Sequence, residues 1–102
     1  MKRRGAGTLG REEIGSRVRL QAWVQRRRDL GGLLFVDLRD RTGVAQVVVH
    51  PERRADLAAL LEPVRAEWVL EVEGTVVARE PAAVNPRMAT GEVEVEAERI
   101  EI

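Results

Sequence analysis

Alternation of apolar and polar residues at every second position is the feature of this chain that most limits how it can fold. In residues 17–24 every even position is apolar and most odd positions are polar, which is the pattern of a strand with one buried face. The same period returns in four later segments. The sequence therefore predicts five short strands, at residues 17–24, 33–39, 44–49, 68–79 and 92–102.

One segment, from about residue 52 to residue 64, has helical spacing instead. Leu57, Leu60, Leu61 and Val64 recur at intervals of three and four residues, which places them on one helical face. Three strands, a helix and two further strands, in this order, are typical of the five-stranded Greek-key barrel called the OB fold. We therefore predict an all-β OB-fold barrel with one helix between strands three and four, while a small open sandwich is also compatible with this order.

Glycine and proline mark the connections between the predicted strands. Residues 31–32 are both glycine and form the turn between the first two strands, and residues 40–43 form the next turn. Gly74 interrupts the fourth strand and indicates a bend or bulge. Residues 80–91 contain two prolines, so we expect an irregular, exposed loop. In the last strand the alternation of apolar and polar residues shifts by one position at Arg99.

The net charge of zero conceals two halves of opposite sign. Residues 1–54 contain 13 Lys and Arg against 6 Asp and Glu, or +7, whereas residues 55–102 contain 4 against 11, or −7. The basic half is suited to attract a polyanion, while the acidic half favours solubility. The alternative is that the two halves simply attract each other across the fold.

Length and composition exclude several classes of protein. With 102 residues the chain is predicted to be one domain, residues 1–102, that needs neither disulfides nor metal to fold. It has no cysteine, which excludes disulfide frameworks and thiolate metal sites. No apolar stretch follows the basic start, and nothing approaches a membrane span of roughly 20 apolar residues. We therefore expect a soluble, cytoplasmic protein that does not enter a membrane.

Phe35 is the residue best suited to bind a nucleic-acid base. It is the only phenylalanine of a chain without tyrosine, and Asp37 and Arg39 share its face of the strand. A ring on a polar face can stack on an unpaired base; the alternative is that it packs under a loop or against another domain. Gln46, on the next strand, offers an amide donor and acceptor for the edge of uracil or cytosine, although a glutamine on a strand is more often simply solvated.

Three consecutive arginines follow the first predicted strand. Arg26, Arg27 and Arg28 are suited to bind phosphates or to stack on bases. Arg26 and Arg28 share the phase of the buried Val24, so a bulge, or a strand that runs past the end of the barrel, is needed to turn Arg28 outward. The alternative is a solvated run, or ion pairs with the nearby carboxylates of Asp29, Asp37 and Asp40.

Glutamates occupy alternate positions of the last strand, and groups for catalysis are scarce. This row of carboxylates repels phosphate, yet any single one of them can accept hydrogen bonds from the N1–H and N2–H₂ of a guanine. His50, the only histidine, has no nucleophile or cluster of metal ligands beside it, and the chain lacks the glycine spacings of phosphate-binding loops. We therefore expect that this chain alone is not an enzyme and holds no metal or cofactor.

Two long motifs make the chain similar to a known family. The segments LQAWVQRRRDLGGLLFVDLRDRTGVAQVVV and NPRMATGEVEVEA resemble the N-terminal anticodon-binding domain of bacterial aspartyl-tRNA synthetases, over nearly all 102 residues. The resemblance implies an OB fold that binds the anticodon stem-loop of tRNA and is monomeric by itself. It also implies a parent enzyme, a homodimeric class II aspartate–tRNA ligase. The C-terminal catalytic domain of that parent, which uses ATP and Mg²⁺, is absent from this chain.

The resemblance assigns roles to individual residues. It matches Phe35 to the phenylalanine that stacks on the middle uridine of the anticodon, and Gln46 to the glutamine that hydrogen-bonds that base. Arg28 matches the family arginine beside that glutamine. Glu94 matches the glutamate that reads the first-position guanine, so the implied anticodon is GUC. A parent that charges only aspartate tRNA and one that also charges asparagine tRNA both remain open.

Weaker assignments concern the surroundings of the anticodon. Arg79 and Asn85 match positions that touch the anticodon stem-loop, whereas Ala83 stands where relatives often have a polar residue. Arg26 and Arg27 are expected to make secondary phosphate contacts.

Two other functions are weighed against this one. A general single-stranded nucleic-acid-binding OB module would bind without sequence preference, but the chain has one candidate stacking ring and an acidic last strand. A protein–protein adaptor would more often expose an apolar patch than a run of arginines.

Overall fold

Five strands close into a barrel in the computed structural model of the protein, which describes residues 1–102. A sixth strand lies outside the barrel, and one short helix follows the third barrel strand. The strands are β1 (Lys2–Arg3), β2 (Arg17–Leu30), β3 (Leu33–Asp40), β4 (Gly43–Val49), β5 (Val69–Ala78) and β6 (Val93–Glu101), and the helix is α1 (Ala55–Leu61). The chain contains no helix with the length and hydrophobicity needed to cross a membrane.

Strand pairing confirms the predicted fold. Neighbouring strands follow the order β2-β3-β4-β6-β5, and β5 pairs back onto β2 and closes the sheet. The β4–β6 pair is parallel and the other barrel pairs are antiparallel. The five-stranded OB barrel with one helix between its third and fourth strands is therefore confirmed, and the open sandwich is wrong. Strand β1, parallel to β2, was missed because two residues are too short for a periodic pattern.

The first barrel strand is longer, and the helix shorter, than the sequence predicts. The prediction ended the strand at residue 24, but β2 continues to Leu30 because its first half pairs with β5 and its second half with β3. The arginine run is therefore part of a strand. The helix predicted at residues 52–64 is confined to Ala55–Leu61, between Pro51 and Pro63, which both restrict the backbone beside them.

Side chains that point into the barrel form one core cluster of 21 buried residues. Alternate residues of each barrel strand contribute to it, and Leu57 and Leu61 add the apolar face of α1. Burial of this cluster is the main source of stability, at about 25 cal/mol for each Å² of apolar surface removed from water. Trp68, which the sequence includes in the fourth barrel strand, lies before β5 and is 39% exposed.

The predicted irregularity at Gly74 is a β-bulge. The β5–β6 register shifts between Glu73 and Gly74, which leaves Glu98 of β6 without an opposite residue. Both Ala97 and Ile100 can therefore face the core, which explains the slip in the sequence pattern. A side chain at Gly74 would place its Cβ atom 2.3 Å from the carbonyl oxygen of Glu96, so the close approach of β6 requires glycine here.

Asp40 fastens the N-terminal segment to the turn between β3 and β4. Its Oδ2 accepts a hydrogen bond from the backbone N–H of Ala6 at 2.8 Å, and its Oδ1 accepts one from the N–H of Thr42 at 2.8 Å. Burial opposes ionisation of this carboxyl group, but the hydrogen bonds from Ala6, Thr42 and Gly43 outweigh it and lower the pKa of Asp40. The ionised form is therefore part of the folded structure.

We expect Asp40→Ala to lower the free energy of unfolding by about 1–3 kcal/mol near neutral pH, because two backbone donors lose a charged acceptor. Since the folded-state pKa lies below the ordinary value of 3.8, this contribution is complete above about pH 4 and disappears as the pH falls through the folded-state pKa. Urea unfolding of both proteins at neutral and acidic pH measures the difference. Asp29→Ala, at a largely exposed carboxylate, is the control, and a gap between Asp40→Ala and the parent protein that widens in acid would contradict the assignment.

Candidate nucleic-acid interface

The outer surface of β3 presents an aromatic ring between polar groups. Phe35 is half-buried and does not belong to the core cluster. It stands opposite Arg28 of β2 and Val48 of β4, while Asp37, two residues further along β3, stands opposite Gln46 of β4. Directly opposite residues share a face of a sheet. Four neighbouring side chains of different chemistry therefore surround the ring on the outside of the barrel.

A one-residue bulge in β2 turns the arginine run outward. The register between β2 and β3 shifts between Val24 and Arg26, so Gln25 is the additional residue. Beyond it, Arg26 stands opposite Asp37 and Arg28 opposite Phe35. The two arginines that share the sequence phase of the buried Val24 therefore lie on the outer face. The bulge that the sequence required for an outward Arg28 is present.

The three polar side chains at the centre of this face are linked by hydrogen bonds. Arg28 Nη2 donates to Gln46 Oε1 at 2.8 Å, and Gln46 Nε2 donates to Glu94 Oε1 at 2.8 Å. Gln46 is only 5% exposed, so its amide orientation is fixed by partners on both sides. Strands β2, β4 and β6 thus each place one group in a single row, which we call the polar row: Arg28, Gln46 and Glu94.

Arg28 connects the polar row to the aromatic ring. Its guanidinium carbon lies 5.5 Å from the centre of the Phe35 ring, within the range of a cation–π contact. Its Nη2 also donates to Asp37 Oδ1 at 3.2 Å, whereas its Nε is buried without a hydrogen-bond partner. The structure therefore brings together Phe35, Gln46, Arg28 and Glu94, the four residues expected to read the anticodon.

The other two arginines of the run lie in different surroundings. Arg26 is exposed on the outer face and forms no ion pair. Arg27 faces the other way and donates from Nη1 to the backbone oxygens of Leu61, at 2.6 Å, and Glu62, at 3.0 Å. These carbonyls end helix α1, where a cation satisfies otherwise unpaired acceptors. Arg27 is therefore held by the helix and is separated from the polar row.

Arg79 lies at the end of β5 and holds the loop that follows. It is 6% exposed, and its Nε donates to the carbonyl oxygen of Val93 at 2.9 Å, while Nη1 donates to that of Ala83 at 3.3 Å. Burial lowers the pKa of its guanidinium, and the nearby carboxylates of Glu94 and Asp37 act in the opposite direction. Arg79 is thus close to the polar row, with its donors used to position the loop backbone.

Residues 80–91 form a loop with its own hydrogen bonds, as expected from its prolines. Asn85 Oδ1 accepts from the N–H of Arg87 at 3.0 Å, and the N–H of Asn85 donates to the carbonyl oxygen of Gly91 at 2.9 Å. The buried Thr90 donates from Oγ1 to the carbonyl oxygen of Val44 at 2.6 Å, which ties the loop to the start of β4. Asn85 is therefore a turn-forming residue, in a loop fixed beside the polar row.

One contributor to this site was missed by the sequence, and another was weighed only as an alternative. Asp37, which shares the parity of Phe35, is one of the aspartates that the sequence offers as ion-pair partners of the arginine run, and the Arg28–Asp37 ion pair is present. The anchoring role of Thr90 has no signal in the sequence, since it depends on a contact between residues 46 positions apart. The histidine, aspartate and glutamate side chains form no group of three or more arranged to hold a metal ion.

The five-stranded barrel is closed. Its second and third strands, with the strands beside them, present an aromatic ring, a guanidinium group, an amide and a carboxylate. This is the form of an OB-fold nucleic-acid-binding domain. Comparison with known proteins assigns it more narrowly. Residues 18–102 match the tRNA anti-codon family model, described as an OB-fold nucleic acid binding domain. The chain belongs to this family.

Bacterial aspartate–tRNA ligases are similar to nearly the whole chain. The enzyme of Geobacillus kaustophilus is 59% identical over 96 residues, which are 94% of this chain and 16% of that protein. The aspartate–tRNA(Asp/Asn) ligase of Geobacillus sp. (strain WCH70) is 55% identical over 96 residues, which are again 94% of this chain and 16% of that protein. The chain thus spans about a sixth of the length of these relatives. The expected resemblance to aspartyl-tRNA synthetases is confirmed.

A solved structure agrees with this assignment. The asparaginyl-tRNA synthetase of Pyrococcus horikoshii superimposes with a TM-score of 0.76 and 27% identity, over 97% of this chain and 21% of that one.

The loop geometry leads to a prediction about Gly91. A Cβ atom at this position would lie 1.7 Å from the carbonyl oxygen of Asn85, so Gly91→Ala must displace the loop backbone and should destabilise the protein by about 1–3 kcal/mol. Thermal or urea unfolding measures the loss. In the control Gly10→Ala, the nearest atoms belong to the flexible carboxylate of Glu12, and we expect little change. Equal stability of the two variants would contradict this account of the loop.

Proposed function

We propose that this chain is the anticodon-recognition domain of an aspartate–tRNA ligase and that it binds the GUC anticodon loop. One observation carries this proposal: the polar row lies beside an outward-facing aromatic ring, with an amide and a carboxylate at hydrogen-bonding distance from each other. Single-stranded RNA is recognised by stacking on aromatic rings combined with hydrogen bonds to base edges. The similarity to aspartate–tRNA ligases supports the choice of RNA.

The middle uridine is assigned to Phe35 and Gln46. The ring provides a stacking surface for an unpaired base. The Gln46 amide has one acceptor and two donors, which complement the N3–H and the carbonyl oxygens of uracil. Because Arg28 already covers the ring at 5.5 Å, the base either displaces the guanidinium or adds to the stack with it. The buried Nε of Arg28, without a partner in the free protein, is a donor for RNA in the displaced arrangement.

The first-position guanine is assigned to Glu94. A carboxylate accepts from both N1–H and N2–H₂ of guanine, and adenine offers no donor at the corresponding N1 position. Glu94 is aligned for this by its hydrogen bond from Gln46 and by the nearby charge of Arg79. Arg26, exposed and unpaired, is assigned to a phosphate. Arg79 and Asn85 act through the loop that they hold beside the bases, and Arg27 supports the helix.

The parent enzyme follows from the same relatives. We propose that residues 1–102 form one anticodon-binding domain and that a class II catalytic domain, homodimeric and using ATP and Mg²⁺ to activate aspartate, belongs to the same cytoplasmic protein. The domain itself takes no part in the chemical step. Its contribution is to bind the correct tRNA, so that binding free energy is available only for the cognate anticodon.

We expect Phe35→Ala to weaken binding of an anticodon stem-loop with the GUC sequence by about 1–3 kcal/mol, which is the usual contribution of one base stacked on a ring. Titration of a labelled hairpin followed by fluorescence anisotropy measures this loss. Leu33→Ala, on the same face of β3, is the matched control. A hairpin with a scrambled loop tests specificity: if the protein binds it as tightly as the GUC hairpin, the general single-strand-binding function replaces the one proposed.

We expect Glu94→Gln to reduce the preference for guanine over adenine at the first anticodon position by about 1–3 kcal/mol, since one acceptor of the carboxylate becomes a donor. Hairpins with GUC and AUC loops, titrated against both proteins, give the discrimination directly. Glu96→Gln provides the control, because Glu96 lies in the same row of glutamates but faces His50 and Arg53. A preference that survives in Glu94→Gln assigns the reading of this base to another residue.

A further inference from the structure

A second concave surface lies on the outside of β2, apart from the polar row. It encloses about 550 Å³, and its floor consists of Gln21 and Trp23. Residues 3–5 form one wall and residues 40–42 form the other. We call it the N-terminal groove. The two walls are fixed to each other, since Asp40 and Thr42 accept hydrogen bonds from the N–H groups of Ala6 and Gly7.

Two of the three arginines that line this groove, Arg3 and Arg41, have no carboxylate partner, whereas Arg4 is paired with Glu13. Several arginines of the basic half pair with acids of the other half, as in Arg11–Glu92 and Arg17–Glu98, so the mutual attraction of the two halves is real. Several cations of β1, of β2 beyond Arg17, of β3 and of the turn after β3 lie outside these pairs. The cations there that lie in no ion pair are Lys2, Arg3, Arg19, Arg26, Arg39 and Arg41.

The arrangement of these cations is unfavourable for the protein alone. Arg3 stands directly opposite Arg19 in the parallel β1–β2 pair, although like charges in this position repel each other. The Nε of Arg19 is buried without a hydrogen-bond partner. Asp40 has its carboxylate oxygens occupied by backbone donors and forms no ion pair with Arg41. A polyanion in the groove, beside Arg3, would reduce this repulsion.

Trp23 adds an aromatic surface to this group of cationic side chains. It is 40% exposed and stands opposite Arg39 of β3. The same strand, β2, continues from Trp23 towards the polar row. Since a strand rises about 3.3 Å per residue, Trp23 lies within about 10 Å of Arg26. The groove and the polar row are therefore neighbours on one surface, joined by Arg26 and Arg39.

We propose that the N-terminal groove is a second RNA-binding site, which takes the phosphodiester backbone that flanks the bases read by the polar row. This inference rests on the proposed function. Arg3 and Arg41 bind the phosphates, and Trp23 contacts the nucleotide that passes over the floor. Phosphate contacts carry no base preference, so the groove increases affinity and fixes orientation, whereas Phe35, Gln46 and Glu94 provide the sequence preference.

The test compares the binding of two RNAs to the unaltered chain and to four variants. One RNA is the GUC anticodon stem-loop, and the other is a short single strand that contains only the loop bases and cannot reach the groove. For Arg3→Ala/Arg41→Ala we expect a several-fold loss of affinity for the stem-loop, and a salt dependence whose slope falls by about 0.9 for each phosphate that the variant no longer neutralises. Binding of the short strand should not change. Arg99→Ala, an exposed arginine of β6 paired with Glu73 and Glu101, controls for the removal of a positive charge.

Fluorescence of Trp23 gives an independent reading. In Trp68→Phe, Trp23 is the only tryptophan, and we expect its emission to respond to the stem-loop but not to the short strand. If the stem-loop binds, is weakened by Phe35→Ala, and yet leaves both Trp23 emission and the Arg3→Ala/Arg41→Ala affinity unaffected, the groove is not an RNA site and the proposed function stands. If neither RNA binds the unaltered chain, the proposed function itself is wrong. A response of Trp23 to the short strand would also overturn the separation of the two sites.

Discussion

The additional residue in β2 at Gln25 is the constraint on which the candidate site depends. In a regular strand, side chains alternate between the two faces, so Arg26 and Arg28 would follow Val24 into the barrel. Placing a charge there costs several kcal/mol after relaxation. The bulge shifts the alternation by one residue and reverses the faces of all three arginines. Arg28 then reaches Phe35 and Gln46, while Arg27 reaches the end of helix α1.

Closure of the barrel supplies the second requirement, which is rigidity. The polar row draws its members from β2, β4 and β6, three strands that are far apart in the chain but neighbours, through β3, in the sheet. Backbone hydrogen bonds to neighbouring strands hold each of these three strands, and so each side chain begins from a fixed position. Groups held in this way lose little conformational entropy when they bind a base, which favours affinity and selectivity. The loop of residues 80–91 gains the same fixity from Arg79 and Thr90.

The sequence predicts most of the barrel because strand alternation is a local signal. The five strands, the helix between the third and fourth of them, and the bulge at Gly74 all follow from spacing or from a single glycine. Strand β1 cannot be predicted in this way because it is too short to show a period. The full length of β2 cannot be predicted because this strand changes its pairing partner midway. In the site, the parity of Phe35 could be read directly from neighbouring residues. The roles of Arg28 and Glu94 came from family resemblance, because their positions depend on a bulge and on a contact with Gln46, 48 residues before Glu94.

In the free protein the groups that would read the bases already have hydrogen-bond partners, and this limits the free energy that they can contribute to base binding. Gln46 has a donor on one side and an acceptor on the other, so an incoming base must replace existing hydrogen bonds rather than fill empty positions. Exchange of one hydrogen bond for another yields little net free energy. A base with the wrong pattern of donors and acceptors, however, leaves buried polar atoms unpaired, at a cost of about 1–3 kcal/mol each. In the proposed complex the polar row would therefore reject incorrect bases, whereas stacking on Phe35 and contacts between phosphates and arginines would provide most of the affinity.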